Sequence, residues 1–330
     1  MLAQDDNLNL MSLSEAGMGL LQKRKETMID FLPLDIERKT QYDKYLMDCS
    51  NRGCEYSFAN LYLWGRQKAA FFENQLVFFS QFNRRSVYLF PIGPGDRKLA
   101  LDAIIADAKE RGIPCRLTGL LAEDMETVER LYPGKFRFHH DRDSYDYIYD
   151  IAGLAELKGK KYQKKRNHLN RFLTLYPDCN AMSVTEDNEE DVRHMVEKWY
   201  ALREQEDPAA DFHMEKAAIY KAFDRRKALG MECFALYVGN TCVAMSMASA
   251  LSETVFDVHF EKALDKFEGV YAAINHFFSR YLREKYGAIK YLNREDDMGI
   301  PGLRHAKMSY RPDMMIEKSW ACLLEDEYDY

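Results

Sequence analysis

The hydrophobic and polar positions of this chain fall into two passages with the same order. In the first, "KAAFFE" and "LVFFSQF" lie around Asn74-Gln75 and "SVYLFPI" follows, three short β-type runs separated by turn residues. Arg97 to Arg111 then carries Leu101, Ile104, Ile105 and Ala108 on one helical stripe, Gly112 supplies a stop, and "IPCRLTGL" resumes as a strand. In the second passage, "ECFALYV" and "TCVAMSMA" flank Gly239-Asn240, a two-residue hairpin signal, and "TVFDVHF" gives a third strand. A helix from about Gly269 to Tyr286 buries Val270, Ile274, Phe277, Phe278 and Tyr281; Gly287 ends it and "AIKYL" is the next strand. Three antiparallel strands, a helix, a glycine stop and another strand thus occur twice, so the expected class is α+β and duplication of one unit is the economical origin.

Between the passages, "SYDYIYDIAGLAEL" alternates Tyr145, Tyr147 and Tyr149 with Asp146 and Ile148 before Gly153, which predicts a last strand running into a connector. The expected organisation is a loosely ordered polar leader at 1–27, a first domain at 28–153 and a second at 154–330. Residues 160–228 read as mostly helical, and the terminal EDEYDY reads as a solvated acidic tail. A chain of 330 residues with 47% hydrophobic content can bury two cores of ordinary size. No basic and apolar leader and no apolar run of about 18 residues interrupts this pattern, so a soluble, cytoplasmic protein is expected. The seven cysteines are irregularly spaced, Cys49 and Cys54 being the closest pair, which predicts reduced thiols and neither a disulfide framework nor a metal site. A net charge of −7 argues against a surface built wholly for nucleic acid and shifts attention to local charge.

Three stretches have candidate chemistry. From Lys158 to Arg171 there are seven basic residues and no acid; on a helix, Tyr162, Leu169, Phe172 and Tyr176 share one face while Lys160, Lys161, Lys164, His168 and Arg171 share another. Such a face suits phosphate on RNA, a nucleotide or a lipid headgroup, and a solvated basic face is the plain alternative. "DVHFEKALDKFEGVYAAINHF" places Asp257, His259 and Glu261 on a strand and Gly269 at a helix start, where backbone N–H groups favour an anion. Glu261 and Lys262 should point to opposite faces of the sheet, with Glu261 free to act as a general base or to bind an ammonium group. "NREDDMGIPGLRHAKMSY" delivers Asn293, Arg294, Glu295, Asp296 and Asp297 into a loop, brackets Pro301 with Gly299 and Gly302, and continues as a helix with Arg304, His305 and Lys307. Carboxylates for an amino group beside cations for phosphate would suit an aminoacyl or acyl donor, and simple capping of the helix is the competing explanation. No GxGxxG, phosphate-loop, HExxH or GxSxG motif occurs, and "PIGPGDRK" reads as a turn with Asp96 as helix cap.

"LKGKKYQKKRNHLNRF", "VHFEKA…GVYAAINHFF" and "YLNREDDMGIPGLRHAKMSYRP" together resemble a family of uncharacterised bacterial proteins similar to the C-terminal catalytic domain of phosphatidylglycerol lysyltransferases. The resemblance covers the chain from about Met28 to Lys318. It implies two GNAT-like folds in tandem, related to the peptidoglycan aminoacyltransferases, with the reactive site in the second. Carried over by position, Glu261, Lys262, Asn293, Glu295 and Asp296 are the candidate catalytic residues. Lys164, Lys165, Arg166, Asn167, Gly269, Tyr271, Asn275, Gly299, Gly302, Arg304, Lys307 and Tyr310 are the candidate donor-binding residues. The implied activity is aminoacyl or acyl transfer to a lipid, peptide or small amine, with aminoacyl-tRNA or acyl-CoA as donor substrate rather than a resident cofactor, and tRNA, an anionic lipid headgroup or a peptide as partners. Tyr271 stands where coenzyme A-binding relatives usually have glycine or alanine. The lysyltransferases also have an Asp and an Arg close together where this chain reads Asp257-Val-His-Phe-Glu261-Lys262, and many carry a multi-span membrane domain. The rival expectations are acetyl-CoA-dependent N-acetylation and a non-catalytic module binding RNA or anionic lipid through Lys158 to Arg171.

Overall fold

A computed structural model describes residues 29–47, 53–65, 67–82 and 85–326; the expected leader and the last residues of the acidic tail lie outside these. Each apolar run becomes a strand because its alternate side chains find cover on both sides. The first half supplies β1 (Leu32–Pro33), β2 (Gln67–Phe72), β3 (Gln75–Phe82), β4 (Arg85–Ile92), β5 (Arg116–Leu120) and β6 (Phe136–His140). Then follow β7 (Asp146–Asp150), β8 (Cys179–Ser183), β9 (Glu232–Val238), β10 (Thr241–Ala250), β11 (Val255–Ala263), β12 (Tyr291–Asn293), β13 (Met314–Ile316) and β14 (Ser319–Leu323). The helix Arg97–Arg111 has the expected bounds, because the Asp96 carboxylate accepts from the N–H groups of Lys98 and Leu99, and Gly112 turns out of it at φ +65°.

Two seven-stranded sheets result, in the orders β1-β2-β3-β4-β5-β14-β6 and β8-β9-β10-β11-β12-β7-β13. In each, only the fourth and fifth strands run parallel, β4 with β5 and β11 with β12. The expected boundary at residue 153 does not divide them: β7 crosses into the second sheet beside β12, and β14 returns from the C-terminal end to lie between β5 and β6. Each unit therefore takes its sixth strand from the other half of the chain. Local pattern shows that a strand exists but not which edge it joins.

Three apolar clusters fill the molecule. One packs the helix Arg97–Arg111 on the first sheet through Leu101, Ile104 and Phe90, and one packs the helix Val270–Lys285 on the second through Ile274, Phe278 and Leu292. The third joins the halves, bringing Tyr42, Phe58 and Leu61 against Val196, Phe223, Met245 and Phe260. The basic stretch is a helix over Gln163–Leu175 with Leu169 and Phe172 buried, and β8 interrupts the region expected to be mostly helical. Among the described residues, no helix is long and apolar enough to cross a membrane.

Strand exchange predicts that the halves cannot be separated at residue 153. Expressed alone, 1–153 lacks the strand that pairs β5 with β6, and 154–330 lacks the one that pairs β12 with β13. Each fragment should show little cooperative thermal unfolding by circular dichroism, and co-expression should restore it; two separately cooperative fragments would contradict the exchange.

Candidate active site

The loop after β12 sends consecutive side chains to different places. Glu295 and Met298 adopt left-handed backbone at φ +56° and +51°, and Gly299 at +71°, so the chain turns sharply between Asn293 and Ile300. Arg294 turns toward Glu261 on β11, Asn293 and Glu295 turn toward the first half, and Asp297 turns toward the helix Pro301–Met308. The run of acids is therefore not one cluster.

On the side of Arg294, Nη2 donates to Glu261 Oε1 at 2.8 Å and Asn275 Nδ2 lies 3.5 Å from Glu261 Oε2. Tyr310 forms the floor: Lys165 Nζ is 3.9 Å and the Arg294 guanidinium 5.1 Å from its ring centroid, with Tyr149 edge-on at 6.3 Å. Among the described residues, Lys165 pairs with no carboxylate and Arg294 Nη1 is buried without an acceptor. Burial, with Arg294 adding and Glu261 opposing, lowers the Lys165 ammonium to about 8. Burial raises the Tyr310 hydroxyl above the usual phenol value. One carboxylate, one ion-paired guanidinium with a free donor and one weakly held amine thus converge, which can bind an amine at Glu261 and a carbonyl or phosphate oxygen at Arg294 and Lys165.

A bulge makes this separation possible. Met247 of β10 faces Phe260 and Ala248 faces Val258, which leaves His259 as the extra residue of β11. Strict alternation would place Asp257, His259 and Glu261 on one face. Instead Glu261 meets Asn275 and Arg294, while His259 meets Ser249, Asp257 and Glu295.

Lys262 does point away from Glu261 as expected, and its ammonium donates to Glu215 at 2.7 Å and lies 3.9 Å over the Trp199 ring, which removes it from the Glu261 group. Burial lowers it, with Glu215 opposing. Asn293 donates to Asp146 at 2.8 Å, and Glu295 Oε1 accepts from Asn60 at 3.1 Å. Asp296 is pushed up to about 6 by burial, Asp146 and Glu295 adding and Lys318 and Lys307 opposing.

The expected phosphate cations are mostly committed elsewhere. Arg304 grips Asp297 through Nε at 2.9 Å and Nη2 at 2.8 Å and reaches Asp143 at 2.5 Å, and the first of these pairings holds Asp297 well below the usual carboxylate range. Lys307 Nζ donates to the carbonyls of Arg294, at 2.5 Å, and Asp296. Arg166 donates to the carbonyls of Leu157 and Gly159, whereas Lys164 and Asn167 stay exposed. Gly269, at φ +84°, allows a close approach to the chain itself: a Cβ there would lie 2.3 Å from the His168 carbonyl oxygen. Gly299 serves its turn beside Asp143, and Gly302 faces open space. Tyr271 is partly buried against the second core.

Sequence reasoning singled out Lys165, Glu261, Asn275 and Tyr310, which the structure brings together. Arg294 lay within the third motif but was not singled out, and Asn60, Asp146, Ser249 and Lys318 were missed. Asp146, a charged residue at an inward position of an alternating strand, was the one available signal. Surface depressions lined by Glu156, Arg280 and Arg283 and by Met182, Phe277 and Tyr281 contain none of these residues.

Residues 47–322 match the family described as phosphatidylglycerol lysyltransferase, C-terminal. The chain belongs to that family. A conserved protein of unknown function from Bacteroides thetaiotaomicron VPI-5482 has a structure that matches with a TM-score of 0.85 at 34% identity, covering 90% of this chain and 100% of that one. L-PGS from Bacillus licheniformis matches with a TM-score of 0.62 at 16% identity over 88% of this chain and 92% of that chain, a likeness of fold. An uncharacterised protein of Mycoplasmoides gallisepticum is 26% identical over 178 residues, 53% of this chain and 55% of that protein, so this chain spans about half the length of that relative. The expected α+β class, two mixed and mostly antiparallel sheets each flanked by helices, is thus the one found, and its fold is like that of L-PGS.

The low value at Lys165 is open to direct titration. NMR of methyl-labelled lysines should give Lys165 a midpoint near 8. Because the Glu261 charge raises that midpoint and the Arg294 charge lowers it, Glu261→Gln should move it down and Arg294→Met should move it up. An ordinary lysine midpoint insensitive to both changes would remove Lys165 from the group.

Proposed function

We infer that this chain of the phosphatidylglycerol lysyltransferase C-terminal family is an aminoacyl- or acyltransferase whose reacting groups meet beside Glu261. The observation that supports this most is that, among the described residues, the Lys165 amine has no carboxylate partner and the Arg294 Nη1 donor no acceptor, both standing around one half-buried carboxylate over Tyr310.

Glu261 binds the attacking amine or hydroxyl and takes its proton. Arg294 and Lys165 hold the donor carbonyl oxygen as it becomes an oxyanion; when that oxyanion collapses, the ester bond to the donor's hydroxyl breaks and the leaving oxygen takes up the proton held by Glu261, with orientation and oxyanion stabilisation lowering the barrier. Lys160 and Lys164, exposed just before and on the helix that carries Lys165, suit the phosphates of a tRNA-borne donor. On the acceptor side, Met298, Ile300, Leu303 and Met308 are exposed around the short helix Pro301–Met308, which fits an acceptor presented by an anionic lipid surface. Acetyl-CoA is the weaker donor: the helix start at Gly269 packs on the His168 carbonyl, and Val270 N–H already donates to Phe267.

The test uses purified full chain, tRNA charged with radiolabelled amino acids, and anionic phospholipid vesicles. Glu261→Gln should lower transfer at least about 100-fold while leaving retention of charged tRNA on filters unchanged. Near-normal transfer in this variant would remove Glu261 from its role, and transfer from acetyl-CoA in place of charged tRNA would reverse the choice of donor.

A further inference from the structure

We propose that Asp257, His259 and Glu295 form a binding site for one divalent transition-metal cation of the Mn2+ or Zn2+ class, buried between the two sheets on the opposite side of β11 from Glu261. His259 Nδ1 lies 3.2 Å from Glu295 Oε1 and 3.5 Å from Asp257 Oδ2, and one ligand atom from each residue falls within 4.8 Å of the others. Ligand atoms about 2.1 Å from a shared cation and about 100° apart stand about 3.2 Å from one another, so two of the three separations already fit.

The surroundings orient these atoms as ligands. Ser249 Oγ is 2.8 Å from His259 Nε2, and with Nε2–H donating to that hydroxyl, Nδ1 presents its lone pair to the carboxylates. Asn60 Nδ2 donates to Glu295 Oε1 at 3.1 Å, and Asn293 Oδ1 accepts from Glu295 N–H at 2.7 Å, which fixes the left-handed turn that points Glu295 inward. The independent observation is Asp257. It is fully buried, and among the described residues neither of its oxygens has a hydrogen-bond donor. An orphaned carboxylate in such surroundings is costly and calls for a counter-charge.

A neighbouring cluster shows how the same fold satisfies buried acids. Cys54, Glu55 and Asp146 also come within ligand distance of one another, but the Lys318 ammonium sits among them, 2.7 Å from Asp146 and 2.8 Å from Glu55. Among the described residues, no lysine or arginine pairs with Asp257 or Glu295. Two carboxylates and a neutral imidazole carry two negative charges, which a divalent cation cancels, and this oxygen-rich, single-nitrogen set suits Mn2+ or Zn2+ better than a thiophilic ion. Glu295, one fifth exposed, forms the open edge through which an ion and its remaining water ligands enter. Sequence spacing concealed the set because Glu295 comes from a loop 36 residues beyond His259.

The experiment strips the purified full chain with chelator and measures metal by mass spectrometry after equilibration with micromolar Mn2+ or Zn2+, alongside thermal unfolding. The expected result is one ion per chain, a melting temperature raised by metal, and ligand-field bands with Co2+ that lack thiolate charge-transfer absorption. Asp257→Asn and His259→Gln should each weaken uptake at least about tenfold. Glu295→Gln, at the exposed edge, provides a variant that keeps its fold should Asp257→Asn lose it, and Cys54→Ser should leave uptake intact. Absence of uptake by the stripped chain, uptake unchanged in folded Glu295→Gln and His259→Gln, or uptake lost in Cys54→Ser would each overturn the proposal.

Discussion

The Lys318 ammonium is the point at which both chain crossings meet. It sits between β13 in the second sheet and β14 in the first, and it donates to Asp146, the first residue of the strand that crosses the other way. Burial alone would lower this lysine; Asp146, Cys54 and Glu55 outweigh burial and hold it well above the usual lysine value. Buried pairs of this kind are poor net stabilisers, but removing one partner strands the other charge at a cost of about 3–5 kcal/mol. The pair thus specifies how the halves dock more than how strongly they do.

Its influence extends to the candidate active site through a short chain of hydrogen bonds. The second oxygen of Asp146 accepts from Cys54 N–H at 2.7 Å and Asn293 Nδ2 at 2.8 Å. Asn293 in turn holds the Glu295 N–H, and the left-handed turn at Glu295 is what sends Arg294 one way and Glu295 the other. On one side of β11 this places a guanidinium on Glu261; on the other it closes a carboxylate onto His259. The loop is pinned again by Lys307 on its carbonyls and by Arg304 on Asp297. Cations that suggested phosphate binding in the sequence instead position the backbone that carries Arg294.

What the sequence revealed follows the range of the forces involved. The strands of each half and the helix Arg97–Arg111 depend on local periodicity, a capping aspartate and a stopping glycine, all visible in a short window. The short strands β1, β6, β8, β13 and β14 escaped because their few residues show no decisive alternation, and β14 owes its place to β5 and β6, far away in sequence. At the site, Glu261, Asn275, Lys165 and Tyr310 were identifiable from the motifs that carry them. The division of Asp257 and His259 from Glu261 was not, because it turns on one extra residue opposite Met247 and Ala248. The same limit applies to Arg304 and Lys307, whose spacing is that of a cationic face but whose partners lie across the loop.

Native-state hydrogen exchange on Lys318→Met measures this coupling most directly, since it reports local opening amide by amide. Coupling through Asp146 predicts faster exchange at the Glu295 amide together with β7 and β14, while the helix Arg97–Arg111 keeps its protection relative to global unfolding. Unchanged exchange at Glu295, with loss of protection confined to β14, would show that the loop holds its turn independently of the buried lysine.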